Sequence, residues 1–220
     1  MKALENAKQL ITRILEKVQL TDLMEDDVLD SIDHGELVGM LVKRLCTQLG
    51  YPVEFQEQML VAAYVHDIGK LRLSKNLYGR DKKALHVEEV KYMRMHTELG
   101  RQMLQECDYP EEIRNAVYYH HENYDGTGYP KNLKAEKIPL EARILRVCDV
   151  FAALISDRPY RRGFDVDTAM ELMIEDVKTF DMKIFLEFMN IFHSEGFQEI
   201  IDFANQINEN KRSMDETVNS

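Results

Sequence analysis

The run His66-Asp67-Ile68-Gly69-Lys70 sets two metal-binding side chains next to each other. The run His120-His121-Glu122-Asn123-Tyr124-Asp125-Gly126-Thr127-Gly128-Tyr129-Pro130 sets two imidazoles next to each other, ahead of a glycine-rich stretch. His34, His96 and Asp149 stand singly around them, so five of the seven histidines fall in one candidate constellation. Five imidazoles and two aspartates are enough donors for a pair of metal ions. The mixed nitrogen and oxygen set suits imidazole-tolerant first-row metals such as Fe, Mn, Zn, Ni or Co. It contains no cysteine, which argues against a structural zinc site. Asp67 is suited to bridge two ions, because a carboxylate has two oxygens and an imidazole one free nitrogen. Two ions ~3.5–4 Å apart would lower the pKa of a bridging water and hold a phosphoryl oxygen. The residue types therefore point to metal-assisted hydrolysis rather than to a binding scaffold.

Taken singly, His34 or His96 would read as an ordinary surface or core histidine. Asp149 is harder to dismiss, because an ionised carboxylate inside the apolar run ILRVCDVFAAL needs a partner or a metal. Adjacent residues on a helix point about 100° apart. His66 and Asp67 can serve one site only where a helix gives way to a loop, and Gly69 marks such an end. His120 and His121 are expected at a similar end. Lys70 would be favourable at a helix C-terminus without any function.

The elements that must carry these residues read as helices almost throughout. Leu4, Ala7, Leu10, Ile11, Ile14, Leu15 and Val18 recur at helical steps and predict an N-terminal amphipathic helix within residues 1–25. Thr21 and Asp22 can cap a second helix that stops near Gly50. Pro52 opens a third, to about Ile68. Residues 70–84 read as irregular, followed by a helix from about His86 to Glu106. Pro110 opens a helix to about His121, and residues 122–138 form a second long loop. Pro139 starts a helix to Ser156. Arg158 to Asp165 is a connector, Asp165 or Asp167 caps a helix to about Val177, and Asp181 caps one to about His193. The last helix is expected over Phe197–Asn208, with a polar, frayed tail beyond. No useful period-2 alternation occurs, so the fold class is all-α, with a bundle core that can gather the donors. The catalytic domain is assigned to residues 26–210 and the tail to 211–220.

Composition narrows the function. The chain has 220 residues, 45% of them hydrophobic, enough for one large folded domain. A net charge of −11 makes a long nucleic acid an unsuitable partner, since such binding relies on Lys and Arg against phosphates. A small anionic substrate remains compatible. Cys46, Cys107 and Cys148 are far apart and odd in number, and read as core thiols in a reducing cytosol. No stretch approaches the length of a membrane span or a signal peptide. A cytoplasmic protein is expected.

The pieces HDIGK, HHENYDGTGYP, IPLEARILRVCDV and SDRPYR, in that order, resemble the HD-GYP family of HD phosphohydrolases. His66-Asp67 corresponds to the HD signature and Gly128-Tyr129-Pro130 to the GYP signature. The resemblance implies an HD-type helical bundle that hydrolyses cyclic di-GMP to pGpG, and in some members to GMP. Some members act on mixed cyclic GMP-AMP. It implies one metal held by His34, His66, Asp67 and Asp149, with Asp67 bridging to a second held by His96, His120 and His121. Iron or manganese is the implied metal. Lys70 would face the scissile phosphate, Arg158 and Arg161 would grip phosphate or guanine, and Gly126 to Pro130 would shape the guanine pocket. A metal-bridging hydroxide would attack phosphorus in line.

Three positions depart from the family pattern. Asp30 stands where some members carry a glutamate for a third metal, and its shorter side chain weakens the case for that ion. Ala152 replaces a common acidic residue. The stretch NLYGRDKKALHVEEV replaces a more usual loop containing Pro-Gly. The N-terminal stretch is too short for a sensory domain and suits packing or dimerisation, so a homodimer or a signalling-protein partner fits. Two rival readings stand beside hydrolysis of cyclic di-GMP. One is an HD phosphohydrolase acting on other nucleotides, and the other is a non-catalytic cyclic-dinucleotide receptor.

Overall fold

A computed structural model describes residues 22–77, 92–158 and 161–218, together with 5, 9 and 12, with backbone alone for 22–30, 74–77 and 214–218. Its helices are α1 (Asp22–Gln48), α2 (Val53–Val65), α3 (Lys70–Leu77), α4 (His96–Glu106), α5 (Glu111–Tyr119), α6 (Leu140–Ile155), α7 (Val166–Glu175), α8 (Met182–Phe192) and α9 (Phe197–Val218). Short 3-10 turns occupy Ala135–Lys137 and Val177–Thr179. Among the described residues there is no strand, and one isolated backbone bridge joins Arg158 to Arg161. The all-α expectation holds.

The expected caps explain most boundaries. Pro52, Pro110 and Pro139 each sit just before the first residue of α2, α5 and α6. Asp165 accepts a hydrogen bond from the Thr168 amide and Asp181 one from the Lys183 amide, which satisfies amides that the helix itself cannot.

Helix α2 lies inside the bundle. Its run from Val61 to Val65 is buried without interruption and leads straight into buried His66 and Asp67. A helix that is apolar all round must be wrapped by others, and α2 packs on α1, α5 and α6. Leu37, Leu41 and Leu45 of α1 meet Leu145, Cys148 and Phe151 of α6 in the same core. Phe185 and Phe188 of α8 are fully buried against them.

Two expectations are corrected. Residues 70–77 are helical, not irregular. The reason is tertiary: Leu71 and Leu73 are buried, and Arg72 reaches Glu106 of α4 at 2.6 Å. Short helices are held by such packing rather than by propensity. Likewise α9 continues to Val218, well past Asn208. Arg212 makes two hydrogen bonds to the Asp157 carboxylate, and the Asn208 side chain bonds the backbone at Ile155 and Asp157. These contacts pin the turns that composition marked as frayed. The N-terminal helix, apart from residues 5, 9 and 12, and the start of the helix expected from His86 lie outside the described residues.

Candidate metal centre

The seven singled-out donors converge. Asp67, His96, His120 and His121 form one group, His34, His66 and Asp149 a second, and within each the donor atoms lie within 4.8 Å of one another. They come from α1, the turn after α2, the start of α4, the turn after α5, and α6. Both adjacent pairs follow a helix end, as the 100° rule demands.

Asp67 faces both groups. Its Oδ2 lies 3.4 Å from His66 Nε2, and its Oδ1 lies 3.5 Å from His96 Nε2. His96 Nε2 is 3.4 Å from His120 Nε2. On the other side Asp149 Oδ1 lies 3.0 Å from His34 Nε2 and 3.5 Å from His66 Nε2.

The backbone presets three of the rings. Nδ1 of His66, His96 and His120 lies 2.8, 2.6 and 2.7 Å from the carbonyl oxygen three residues earlier, on Ala63, Met93 and Val117. A ring that donates from Nδ1 presents the Nε2 lone pair inward, which is the form a metal takes. His66 Nε2 and Asp67 Oδ1, both facing the centre, are buried with no hydrogen-bond partner. Orphaned polar atoms of this kind are costly. Their grouping fits divalent metal ions, which would satisfy lone pairs that the protein leaves open.

Charge is arranged to match. Burial lowers His34 and His96, and holds His120 well below the ordinary imidazole value, with neighbouring imidazoles adding to the effect at His120. Burial brings His121 down to about 3. His66 is the exception: burial opposes its charge, yet Asp67 and Asp149 beside it raise it to about 10. Burial alone would raise both aspartates. Lys70 and His66 instead hold Asp67 well below the carboxylate range, and hydrogen bonds to His34 and His66 do the same for Asp149.

Glycine permits the closest approach between elements. A Cβ on Gly69 would fall 1.9 Å from the His96 carbonyl oxygen and 2.6 Å from the Gly100 amide nitrogen. The HDIGK turn can thus press against the start of α4, which sets Asp67 beside His96. Gly128 has a similar role, since its Cβ would fall 2.2 Å from the Asn123 nitrogen.

The loop after α5 folds over the second group. Tyr129 stacks on His121 with ring centroids 4.7 Å apart, and the Tyr129–Pro130 peptide bond is cis. Arg94 lies over the Tyr129 ring, its guanidinium carbon 4.8 Å from the ring centre. Buried Glu122 organises the loop, accepting the Lys131 amide at 2.6 Å and the Leu133 amide at 2.9 Å. The motif reading included Glu122 but gave it no task. Its signal was position: a carboxylate directly after two inward-facing histidines, ahead of a loop rich in backbone donors.

The substrate candidates divide. Lys70 Nζ lies 2.5 Å from Asp67 Oδ2. It opens α3 rather than closing a helix, so the macrodipole does not account for its charge there. Arg161 is engaged by the protein's own backbone. Its guanidinium donates to the carbonyls of Ala153, Leu154 and Arg162 and lies over Phe164. The last carbonyls of α6 have no intrahelical donors, and Arg161 caps them. Arg158 is half-buried beside it, bonded to Arg161 through the backbone. Asp30 lies on α1, in the stretch described by backbone alone. Ala152 is fully buried in the core. The stretch 78–91 lies outside the described residues. Arg146, which the sequence reading passed over, stands on α6 one turn before Asp149.

An all-helical bundle that carries a His–Asp step at the heart of two donor groups defines an HD-domain protein. The HD domain family profile matches residues 18–184, and the chain belongs to that family. Over 157 residues it is 35% identical to the Pseudomonas aeruginosa protein named cyclic di-GMP phosphodiesterase PA4108, covering 71% of this chain and 38% of that one. It is 33% identical over 147 residues to 3'3'-cGAMP-specific phosphodiesterase 1 of Vibrio cholerae, covering 67% and 34%. The chain thus spans well under half the length of these relatives. The fold is also that of Bd1817, an HDG"Y"P protein from Bdellovibrio bacteriovorus. The TM-score is 0.61 at 17% identity, over 87% of this chain and 64% of that one.

Proposed function

We propose that this chain is a metal-dependent phosphodiesterase of cyclic dinucleotides, with cyclic di-GMP as first substrate. The observation that carries the reading is Asp67, whose two oxygens face separate groups of imidazoles. That arrangement suits two metal ions sharing one carboxylate, with His34, His66 and Asp149 on one side and His96, His120 and His121 on the other. Iron or manganese is the metal proposed. Such a pair, when bound, supplies a nucleophile from water near neutral pH and draws charge from the phosphoryl oxygens. Asp67 and Asp149 provide the negative charge that retains the ions, and the backbone carbonyls keep the rings aimed. Lys70 meets the charge that develops on the phosphoryl oxygen. Tyr129, between Gly128 and Pro130, walls the substrate side. The relatives named for cyclic di-GMP and for 3'3'-cGAMP support a cyclic dinucleotide and make the mixed dinucleotide the second candidate. Residues 26–210 form the catalytic unit. The free, buried thiols of Cys46 and Cys148 support a reducing, cytoplasmic setting.

The test is anaerobic purification with elemental analysis, followed by product analysis on cyclic di-GMP, 3'3'-cGAMP and mononucleotides with added Fe or Mn. Conversion of cyclic di-GMP to pGpG is expected. Asp67→Asn should lose both bound metal and turnover. If that variant keeps its metal and its rate, the shared-carboxylate reading fails. Tight binding of dinucleotide without turnover in fully metallated protein would favour the receptor reading instead.

A further inference from the structure

Arg146 has no hydrogen bond or ion pair to another described residue. It stands on α6 among the apolar residues Ile144, Leu145, Val147 and Cys148, all buried. Its Nε is buried and has no hydrogen-bond partner, and no ion pair joins the guanidinium to a described carboxylate at 4.0 Å or less. Arginine stays protonated in proteins and carries five N–H donors. The side chain as a whole is half-buried, and an arginine whose Nε is taken out of water ordinarily finds a partner for it. Asp149, one turn on, is the obvious partner, but its Oδ1 is given to His34 and His66. Arg143, one turn back, shows the ordinary outcome by pairing with Asp181.

The surroundings say what is missing. Arg146 stands three residues before Asp149 on the same helix, so the two side chains share a helix face and Arg146 lies at the edge of the metal centre. His121 with Tyr129 stacked on it, and Arg94 over the Tyr129 ring, form another wall of that centre. We propose that Arg146 is a substrate-binding residue that receives a phosphate oxygen of the dinucleotide lying over the two donor groups. A phosphate supplies several acceptor oxygens with negative charge, and a planar guanidinium matches it in a two-pronged hydrogen bond that lysine cannot reproduce. This assignment rests on the phosphodiesterase reading for its substrate but on geometry alone for its anion.

Arg146→Ala and Arg146→Lys, loaded with manganese, test it alongside the unaltered protein. Inorganic phosphate binding is measured by calorimetry, metal content by elemental analysis, and KM and kcat on cyclic di-GMP by product formation. The alanine variant should bind phosphate about tenfold or more weakly and raise KM by a similar factor, the loss of a charge-assisted hydrogen bond. Metal content should be unchanged, and lysine should restore part of the phosphate affinity. Unchanged phosphate affinity in the alanine variant overturns the assignment, as does a loss of metal from both variants. If the unaltered protein hydrolyses no dinucleotide, the phosphodiesterase reading falls, while the phosphate titration still decides Arg146. Should the alanine variant not fold, the lysine variant decides alone: phosphate affinity equal to the parent's would refute a two-pronged contact.

Discussion

The Lys70 ammonium lies 2.5 Å from Oδ2 of Asp67. It is the leading favourable influence that keeps that buried carboxyl ionised. With its side chain about one third exposed, Lys70 is also accessible to a substrate. One charge can therefore prepare a metal ligand and then meet the substrate.

Lys70→Met separates these tasks. The other donors still hold metal at neutral pH, so metal content should stay near that of the parent. Removing a preorganised positive group from the reacting phosphoryl should lower kcat by about 10²-fold. Steady-state kinetics beside elemental analysis reads both. Full activity in a fully metallated variant would reduce Lys70 to a partner of Asp67.

Glu122 is a second test, away from the ions. Its carboxylate is 2% exposed and accepts amides from Lys131 and Leu133. Glu122→Gln keeps the shape but replaces one acceptor with a donor facing an amide. Leaving a buried donor unsatisfied costs about 1–3 kcal/mol. A lower Tm is expected, with faster hydrogen exchange at Lys131 and Leu133 and a raised KM, because Tyr129 sits in the loop that those bonds hold. Unchanged exchange at both amides would refute the organising role.

Much of the site is legible in the sequence, for a physical reason. Imidazoles and carboxylates next to helix breakers are rare enough to stand out, and Pro52, Pro139, Asp165 and Asp181 mark helix ends by local chemistry alone. What stayed hidden depends on long-range contact. KLRLSKNL reads as loop by composition, and only Glu106 and the burial of Leu71 and Leu73 make it α3. The end of α9 depends on Asp157, 55 residues before Arg212. The motif that carries Arg161 says nothing about the carbonyls of α6, which only the fold brings to its guanidinium. Arg146 does not stand out in the sequence, because one arginine in an amphipathic helix is ordinary until the fold takes its Nε out of water.

Gly69 tests how tightly the two groups depend on one backbone contact. An added Cβ would collide with the backbone of His96 and Gly100, not with a side chain that could turn away. Gly69→Ala must therefore push the HDIGK turn off α4. The cost of such overpacking is about 1–3 kcal/mol or more. Asp67 and His96 should part, so the variant should bind one equivalent of metal fewer than the parent and lose turnover while circular dichroism still reports a helical protein. Two equivalents in the folded variant would show that the centre tolerates the shift.

The pH profile of stability should carry the signature of the centre. His34, His96, His120 and His121 are all lowered, chiefly by burial, with His121 at about 3. Unfolded, they take up protons near pH 6.5. Between about pH 6.5 and 3, unfolding binds protons, so stability is lost as pH falls. The depressed carboxyls of Asp67 and Asp149 extend that loss at still lower pH. His66 has the opposite sign. Raised to about 10, it contributes stability that is full below about pH 6.5 and disappears as pH climbs toward 10. Metal-free protein should thus be most stable at about pH 7, where the effect of the four lowered histidines balances that of His66. A metal takes the neutral form of His66 and expels its proton, so manganese should remove the alkaline loss and leave the acid loss in place. Thermal melts from pH 4 to 10, with chelator and with manganese, read this directly. A metal-free Tm that rises steadily from neutrality to pH 10 would mean that His66 is not held between two ionised aspartates.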